Sequence, residues 1–437
     1  MQQMMKSKYL LSVSLMLFIG AFKLSAQNKD TLRVMNYNLL YYNANTSFCT
    51  QTNNNLNTKE AAMEDIIDVI LPDVLVVNEI GTDPNSAFYL SRDALNKNGR
   101  NYYRFAANSG SGQTIANMLF YNRRKLQLES QRVIDKNLNG TNIIRDIDVY
   151  TLRYKDTNLA KHGDTIRFHI IVAHLKAGNT TSDRAERGDA VDAVMADLDS
   201  LNASGNYIIA GDFNLYRSTE TAYQELVNYV DTSLRFYDPV RNMTGLWNQQ
   251  RYAAHHTQST RTSGGCGANG GMNDRFDLML YSDEIKDNKD NIKYIRNSYK
   301  AFGQDGLRFN SSINSPRNNL VGNTVANALH DMSDHLPVIL DLEITLPQTT
   351  SLDEVQFMKD VRFSNPTKDQ LYIDLGKNKG EISEIEIMDL NGRIIDRIRV
   401  DNSLRIRRNL NHISKGTYLL KFHTKSYQQF VEKLIKI

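Results

Sequence analysis

The sequence predicts a two-layered α/β sandwich followed by a small all-β sandwich. Three observations support this fold class. Strand-like apolar runs alternate with helical segments over most of the chain, several of these runs end or begin at a polar residue, and beyond residue 355 only short alternating runs remain. With 437 residues, of which 41% are hydrophobic, the chain can form two or three domains with ordinary globular cores.

The first 26 residues have the pattern of a secretory signal peptide. Lys6 and Lys8 precede the apolar run YLLSVSLMLFIGAF, and a small-residue cleavage site follows, with Ala26 as its last residue. The run is short for a bilayer span, and no other stretch approaches spanning length. We therefore expect an exported chain with no transmembrane span. An uncleaved anchor is the alternative.

Residues 27–345 form the predicted α/β domain, which is followed by a Pro-containing linker at 346–354. In the second of its two clearest helical segments, Ala190, Val194, Asp197 and Leu198 follow a 3.6-residue period. The helical segments are TKEAAMEDIIDVILP and SDRAERGDAVDAVMADLDSL, and the strand-like runs are LRVMNYNLL, DVLVVNEI, ANMLFYN, RFHIIVAHLKAG, YIIAGDFNLY, RFDLMLYS and LPVILDLEI.

Residues 355–437 form the predicted β-sandwich module. Its runs are short and alternate between apolar and polar residues, as in LYIDL, EIEIMDL, RIIDRIRV, TYLLKF and VEKLIKI. Asn391-Gly392 lies between two of these runs and is a strong hairpin signal. From the sequence we expect no convergent cluster of acids, histidines or cysteines in this module, which favours a structural or targeting role.

Charge and cysteine content exclude several classes of protein. The formal net charge is +3, but residues 27–350 carry 33 basic against 37 acidic residues. This region therefore lacks the basic surface of a protein that binds nucleic acid by charge alone, and a polyanionic substrate needs a local site. Cys49 and Cys266 are too few for a disulfide-rich scaffold or a cysteine zinc site, and in an exported chain their pairing stays open.

Polar side chains at the strand ends are the main functional signal. Taken singly, an Asn or Asp after a strand is typical of a turn, and a lone histidine is typical of a surface or otherwise satisfied position. Together they point elsewhere, because buried carboxylates are costly unless they are paired or bind a metal. Oxygen ligands with few nitrogens suit a hard cation such as Mg²⁺, and such a set suits hydrolysis of a phosphate ester by an activated water. The residues concerned are Asn38, Glu79, His174, Asp212, Asn214, Asp277, Asp334 and His335.

At these residues the sequence resembles the endonuclease/exonuclease/phosphatase superfamily. The motifs MNYNLL, VVNEI, VAHLKAG, GDFN, RFDLML and SDHLPV follow one another in the family's order over roughly residues 31–345. The resemblance implies the DNase I-like four-layer fold and hydrolysis of phosphate esters. It also implies a metal site with Glu79 as principal ligand, Asn38 beside it and Asp334 as a further ligand. Mg²⁺ is the expected ion, with Mn²⁺ or Ca²⁺ as alternatives.

The same resemblance implies roles around the reacting phosphate. Asp212 orients or deprotonates the attacking water, and Asn214 holds Asp212 and a phosphate oxygen. His335 lies against the scissile phosphate and is oriented by Asp277, while His174 contacts the phosphate from the opposite side.

Two further phosphate contacts are expected: Arg145 in IIRDIDVY, which the resemblance to the deoxyribonuclease branch of the family implies, and His256 in AAHHTQSTR. A guanidinium suits such a contact because it can donate two parallel hydrogen bonds. A solvent-facing position is the alternative for His256 and for its neighbour His255.

The end of the chain resembles the type A sorting domain of the type IX secretion system. The stretches FSNPTKDQLYIDL, IEIMDLNGRIID, ISKGTYLLKF and KLIKI carry this resemblance. It implies the type IX machinery as partner and export through the periplasm and across the outer membrane to the medium or the cell surface. A carbohydrate- or surface-binding sandwich is the alternative.

The predicted function is a secreted, Mg²⁺-dependent phosphodiesterase with extracellular DNA or RNA as substrate. One alternative is a phosphatase or a sphingomyelinase-like hydrolase, which the slightly acidic α/β domain favours. Another is a surface-binding protein with a vestigial catalytic domain. The sequence does not predict the oligomeric state.

Overall fold

The computed structural model describes residues 29–110, 113–156, 165–201, 203–346, 360–390, 392–401, 403–425 and 429–437. The predicted signal peptide, Asn391 of the predicted hairpin and all but the first residue of the predicted linker lie outside the described residues. Within those ranges, no helix has the length and apolar character needed to cross a membrane.

Two mixed β-sheets face each other and form the centre of the larger part of the chain, as the predicted α/β sandwich requires. The first sheet has the order β11-β13-β1-β2-β4-β3, with β12 paired to β13. Its strands are β1 (Lys29–Tyr42), β2 (Val74–Gly81), β3 (Tyr103–Phe105), β4 (Ile115–Asn122), β11 (Ile292–Tyr294), β12 (Lys300–Ala301) and β13 (Val338–Thr345).

The second sheet has the order β5-β6-β7-β8-β10-β9. The long antiparallel pair β5–β6 was not among the runs predicted as strands, because the polar residues of LQLESQRVIDK conceal the alternation. The strands are β5 (Leu126–Lys136), β6 (Asn142–Tyr154), β7 (Arg167–His174), β8 (Tyr207–Asp212), β9 (Phe236–Tyr237) and β10 (Asp277–Ser282).

Strand β8 shows how the layers are built. Ile208 and Ala210 belong to the core between the two sheets, whereas Ile209 belongs to a second core under the helices. Successive side chains of a strand point to opposite faces, so a strand buried on both faces is apolar at every position. The resulting order is helix, sheet, sheet, helix, as in the predicted four-layer fold.

The helices cover the outer faces of the sheets. Helix α1 is capped by Asn55, whose side chain accepts from the Thr58 amide, and α3 begins with a capping box formed by Thr180 and Asp183. The α-helices are α1 (Leu56–Ile70), α2 (Ser86–Leu90), α3 (Thr181–Ser200), α4 (Thr221–Asn228), α5 (Asp283–Asp287) and α6 (Gly322–Met332), and further helical turns of other types lie at Ser91–Leu95, Thr232–Leu234, Gln250–His255 and Gly376–Gly380.

Two irregularities interrupt neighbouring strands of the first sheet at the same end. The register of β1 and β2 shifts between Asn38 and Tyr42, and that of β2 and β4 shifts between Val77 and Ile80. Glu79 lies inside the second irregularity and has a φ of 58°. Bulges redirect side chains and are frequent beside active sites, so this end of the sheet is where a site is expected.

The C-terminal part is all-β, as predicted. A three-stranded sheet (β14-β15-β18) and a four-stranded sheet (β17-β16-β19-β20) enclose a separate apolar core. The strands on either side of Gly392 pair in antiparallel fashion. They are β14 (Arg362–Phe363), β15 (Gln370–Asp374), β16 (Ile382–Met388), β17 (Ile394–Arg399), β18 (Arg405–Asn409), β19 (Gly416–Thr424) and β20 (Gln429–Lys436).

Candidate active site

Three adjacent strands of the second sheet place polar residues side by side. His174 on β7 is in register with Asp212 on β8, and Asp212 is in register with Asp277 on β10. Asp212 has the parity of Ile208 and Ala210, which face the first sheet. All three residues are buried. One end of the inner face of this sheet therefore carries two carboxylates and an imidazole.

The first sheet supplies the opposite wall. Asn38, at the irregularity of β1, donates from Nδ2 to Asp212 Oδ2 at 3.0 Å and to Glu79 Oε1 at 3.2 Å. Asn78, next to Glu79, accepts from the Asp212 amide at 3.0 Å. These hydrogen bonds join the two sheets. The irregular ends of β1 and β2 in the first sheet thus contact the regular end of β8 in the second.

Asp334 and His335 enter from the segment between α6 and β13. Ser333 anchors this segment, since its Oγ donates to the Asn38 carbonyl at 2.7 Å and accepts from the His335 amide at 3.1 Å. His335 Nδ1 lies 2.7 Å from Asp277 Oδ2, and its Nε2 lies 3.8 Å from Asp212 Oδ2. The carboxylate of Asp277 thus fixes the imidazole orientation and leaves Nε2 directed toward Asp212.

Burial dominates the electrostatics of the carboxylates. It raises the pKa of Asp212 to about 7, and the neighbouring charges of Asp277 and Glu79 act in the same direction. Burial, followed by the charge of Asp334, also raises the pKa of Glu79. The cluster therefore concentrates negative charge that has little solvent around it.

The two histidines have opposite protonation tendencies. Burial lowers the pKa of His174 well below its usual value, and the charges of Arg145 and His335 lower it further, so this imidazole is neutral. Burial also acts to lower the pKa of His335, but the carboxylates of Asp277, Asp334 and Asp212 outweigh it and raise this pKa well above its usual value.

The described residues fit a divalent cation. Ligand-type atoms of Glu79, His174 and Asp212 all lie within 4.8 Å of one another. Asp334 Oδ1 is buried and has no hydrogen-bond partner, and the same is true of Asp277 Oδ1. Buried carboxylate oxygens without partners are costly unless a cation or a proton satisfies them. The oxygen-rich donor set suits a hard ion.

The orientation of Asn38 differs from the ligand position predicted for it. Its Oδ1 accepts from the Leu40 amide at 2.9 Å, and its Nδ2 is the group directed at Glu79 and Asp212. In this orientation the amide lies between two like charges and donates to both, while its oxygen accepts from the backbone. The residues that do share a potential ligand cluster with Glu79 are His174 and Asp212.

Asn214 and Arg145 lie at the edge of the cluster. The Asn214 amide donates to Asp212 Oδ1 at 3.1 Å, and its side chain donates to the Leu175 carbonyl at 3.2 Å. Arg145 is half-buried and donates to the same carbonyl at 3.0 Å. The structure thus brings both residues close to Asp212 and His174.

His256 is not part of the cluster, which corrects the substrate contact predicted for it. Its side chain is fully buried, its Nε2 lies 2.9 Å from the Trp247 carbonyl, and its ring packs near Phe309. A fully buried ring bonded to the backbone cannot contact a phosphate. The solvent-facing alternative is also wrong for His256, because the chain is buried from this residue into Thr257.

Gln258 and Lys59 are parts of the site that the sequence analysis missed. Gln258 Nε2 lies 2.6 Å from His335 Nε2 and donates to Asp334 Oδ2 at 3.2 Å. Its amide can serve either state of the imidazole, since Nε2 donates to the neutral ring and Oε1, after the amide turns, accepts from the charged one. No local pattern distinguishes a loop glutamine of this kind.

Lys59 on α1 is buried and joins the backbone after Asn38 to the backbone before Asp334. Its Nζ donates to the carbonyls of Leu40 and Met332 at 3.1 and 2.5 Å and to Asn54 Oδ1 at 3.0 Å. Burial lowers its pKa to about 7. The amphipathic pattern of α1 gives no sign of this role, because a lysine in a charged helix is normally solvent-exposed.

The two cysteines, whose pairing the sequence left open, form a disulfide. Cys49 follows β1 and Cys266 lies in the loop before β10, 217 residues later, with a Cα–Cα distance of 5.1 Å. Both cysteines are buried beside Leu40. On the chain-entropy model a closure of this length contributes roughly 5 kcal/mol to stability.

Several known proteins are similar to this chain. Comparison with curated protein sequences found no match. Solved structures similar to this chain include the catalytic domain of human nocturnin with bound sulfate (16% identity, 72% of this chain and 98% of that chain covered, TM-score 0.44). Two others come from Bacteroides thetaiotaomicron: an endonuclease/exonuclease/phosphatase family protein (13%, 74% and 99%, 0.45) and a mannosyl-6-phosphatase (14%, 71% and 99%, 0.43).

Two family models match the chain. Residues 363–437 match the secretion system C-terminal sorting domain, so the protein is exported across the outer membrane to the medium or the cell surface. Residues 37–289, more than half of the chain, match the endonuclease/exonuclease/phosphatase family, whose members hydrolyse phosphoric esters. The chain belongs to the endonuclease/exonuclease/phosphatase family.

Proposed function

We propose that the protein is a secreted, divalent-metal-dependent phosphodiesterase that cleaves extracellular nucleic acid. The observation that supports this most is the convergence of Asp212, His335 and Glu79 at one buried end of two facing sheets. Hydrolysis needs an acceptor for a proton of the attacking water and a donor toward a phosphate oxygen. Asp212 and His335 can supply these two groups, and their Oδ2 and Nε2 atoms lie 3.8 Å apart.

Asp212 is the proposed general base. Its carboxylate is held from both sides, by the Asn214 amide at Oδ1 and by Asn38 at Oδ2. Because burial raises its pKa to about 7, it is a stronger base than an exposed aspartate and can accept a proton from water near neutral pH. Its fixed orientation limits the positions from which that water can attack.

His335 is the proposed donor to the phosphate. Asp277 holds its Nδ1 at 2.7 Å, and the surrounding carboxylates keep the ring protonated. Once the Gln258 amide, whose Nε2 lies 2.6 Å from His335 Nε2, turns away, Nε2 can donate to a phosphate oxygen on which charge accumulates. His174 is neutral and lies on the opposite side of Asp212, where its Nε2 is 3.5 Å from Oδ2. Arg145 completes the proposed phosphate contacts from the edge.

Glu79 and Asp334 are the proposed metal ligands, with His174 or Asp212 as further donors and Mg²⁺ as the proposed ion. When bound, such an ion polarises a phosphoryl oxygen and neutralises developing negative charge. The unpartnered Asp334 Oδ1 and the close approach of Glu79 to His174 and Asp212 support this assignment.

A phosphatase or a sphingomyelinase-like lipid hydrolase is the second candidate. The observation that favours it is the excess of acidic residues between residues 27 and 350, 37 against 33 basic, which would repel a long polyanion. The candidates use the same chemistry and differ only in what surrounds the scissile phosphate.

A substrate panel tests the proposal. One preparation of the mature chain is given supercoiled plasmid, single-stranded RNA, sphingomyelin vesicles and a set of sugar and inositol phosphates, all with Mg²⁺. We expect the highest kcat/KM on a nucleic acid. Faster release of a lipid head group or of inorganic phosphate would select the second candidate, and no hydrolysis of any substrate would indicate a vestigial site.

Glu79→Gln should weaken metal binding, because the amide lacks the charge that the carboxylate offers to the ion. We expect at least a ~10-fold loss of Mn²⁺ affinity in a calorimetric titration and a loss of activity that excess metal partly restores. Glu343→Gln is the matched control, since Glu343 lies on β13 and pairs with the exposed Lys29. Equal metal affinity in the two variants would contradict the role of Glu79.

Deleting residues 355–437 should block export without inactivating the enzyme, since the removed sheets have their own core. In a host with type IX secretion, the truncated protein should accumulate in the periplasm as an active hydrolase, and immunoblots of periplasm and medium measure this. Release of the truncated protein at the level of the full chain would show that another segment directs export.

A further inference from the structure

The loop before β10 is held at one point by the disulfide. Residues 262–271 contain five glycines, Gly264, Gly265, Gly267, Gly270 and Gly271, each with a positive φ. Glycine-rich backbone loses much conformational entropy when it is ordered, so a loop of this composition needs strong anchors. Cys266 lies at its centre and is bonded to Cys49, which follows the β1 strand that carries Asn38.

This loop contacts the proposed metal ligand Asp334 directly. The Ala268 amide, two residues after Cys266, donates to Asp334 Oδ2 at 2.7 Å. Gln258 Nε2 donates to the same oxygen at 3.2 Å, and Oδ1 is buried without a hydrogen-bond partner, 4.0 Å from His335 Nε2. The shorter of the two hydrogen bonds that orient the carboxylate therefore comes from the disulfide-bonded loop.

Gly267, between Cys266 and Ala268, packs against the same carboxylate. A Cβ added there would lie 2.6 Å from Asp334 Oδ2 and 2.7 Å from Leu40 Cδ1, too close for either to stay in place. Leu40 is itself in the buried cluster with the two cysteines. The disulfide, Leu40 and the backbone of Gly267 thus form a continuous packed wall behind Asp334.

We propose that the Cys49–Cys266 disulfide positions Asp334 through the amide of Ala268, so that the metal site is completed only in the oxidised chain. This inference rests on the proposed function, since it concerns the metal ligand of that site. Asp334 is the residue that contacts the ion, and the disulfide acts through it.

The proposal has a consequence for the order of events during export. The bond forms when two thiols lose two protons and two electrons to a protein disulfide oxidant of the export compartment. Before export both cysteines are thiols, so the glycine-rich loop lacks its covalent anchor and keeps only hydrogen bonds such as the one from Ser259 Oγ to the Ala268 carbonyl at 2.7 Å. The hydrolase then binds its metal weakly. The producing cell's own phosphate esters are then spared until the chain has left the cytoplasm.

The test compares the oxidised mature chain with Cys49→Ala/Cys266→Ala. Mn²⁺ affinity is measured by calorimetry, and hydrolysis is measured on the best substrate of the panel. We expect the double variant to lose about 10- to 100-fold in Mn²⁺ affinity, the usual effect of removing a group that orients a ligand. Circular dichroism at the assay temperature establishes that the variant is folded.

Gly267→Ala and Gly264→Ala form a matched pair that keeps the disulfide. Both glycines have a left-handed φ, +81° and +78°, so both substitutions strain the backbone alike. Only the first places a methyl group against Asp334, because nothing lies within 4 Å of a Cβ at Gly264. We expect Gly267→Ala to lose Mn²⁺ affinity and Gly264→Ala to keep it.

The outcomes separate the inference from the proposed function. Wild-type Mn²⁺ affinity in a folded Cys49→Ala/Cys266→Ala variant would overturn the inference. If that variant does not fold, equal affinities in Gly267→Ala and Gly264→Ala would overturn it instead, and a selective loss in Gly267→Ala would support it. An oxidised chain that binds Mn²⁺ in this disulfide-dependent manner but hydrolyses no phosphate ester would refute the proposed function and leave the inference standing.

Discussion

Asp212→Asn should lower kcat by about 10²- to 10⁴-fold, which corresponds to about 3 to 5 kcal/mol in the transition state. The amide keeps the volume of the carboxylate, and its single oxygen can still accept either from the Asn38 side chain or from the Asn214 amide. It cannot take a proton from water near neutral pH. The loss should therefore fall on kcat, with a smaller change in KM.

The same substitution should stabilise the metal-free protein, and the gain should depend on pH. The native Asp212 carboxyl keeps its proton up to about pH 7, whereas in the unfolded chain it loses the proton near pH 4. The native state therefore binds more protons between these values, and Asp212 lowers the stability of the wild type as the pH rises through this window. Asparagine escapes that loss, which amounts to up to about 4 kcal/mol.

Two measurements check this prediction. Steady-state kinetics give kcat, and melting curves in chelator at pH 5 and pH 8 give the stability difference, which should be larger at pH 8. Asp189→Asn, at an exposed position of α3, is the control and should match the wild type in both. Near-wild-type kcat in Asp212→Asn on every substrate would remove Asp212 from the proposed mechanism.

Asp277→Ala and His335→Ala should each lower kcat by about 10²-fold or more, and the double variant should be scarcely worse than either single one. The reason is the 2.7 Å contact between Asp277 Oδ2 and His335 Nδ1, through which the carboxylate both orients the ring and keeps it protonated. Removing either partner disables the same donor.

A pH profile distinguishes this pairing from a purely structural effect. Without Asp277 the imidazole of His335 loses the partner that raises its pKa most, so the activity that remains in Asp277→Ala should fall off at a lower pH than in the wild type. His335→Ala has no imidazole at this position, so its pH profile should lack the fall in activity that deprotonation of His335 causes. Effects that multiply in the double variant would show that the two residues act independently.

Site residues at the ends of regular strands could be predicted from the sequence, because strand alternation determines which face their side chains occupy. His174, Asp212 and Asp277 each terminate or begin an apolar strand, and because the strands are adjacent and in register, their side chains converge. The fold class followed from the same alternation of buried strands and amphipathic helices. Local periodicity is sufficient for such residues because the backbone is regular up to the site.

Residues at irregular backbone could not be placed in the same way. Glu79 reaches the cluster from inside an irregularity with a left-handed φ, and the Asn38 amide turns its nitrogen, and not its oxygen, to the carboxylates. Neither orientation follows from a two-residue period. His256 was assigned wrongly since adjacent loop histidines carry no sign of which one the core will bury.

Contacts between segments distant in the sequence could not be predicted either. Gln258 approaches His335 across 77 residues, and Cys49 approaches Cys266 across 217. Such pairs depend on how the loops are folded over the ends of both sheets, which is a property of the whole domain.

The most direct test of the proposed chemistry is a plasmid-nicking time course with the folded, disulfide-bonded mature chain, run with Mg²⁺, then with excess chelator, then with Mg²⁺ restored. We expect supercoiled DNA to be nicked in the first phase, cleavage to stop in the second and the original rate to return in the third. Cleavage that continues in chelator, or intact plasmid throughout, would contradict a metal-dependent phosphodiesterase acting on nucleic acid.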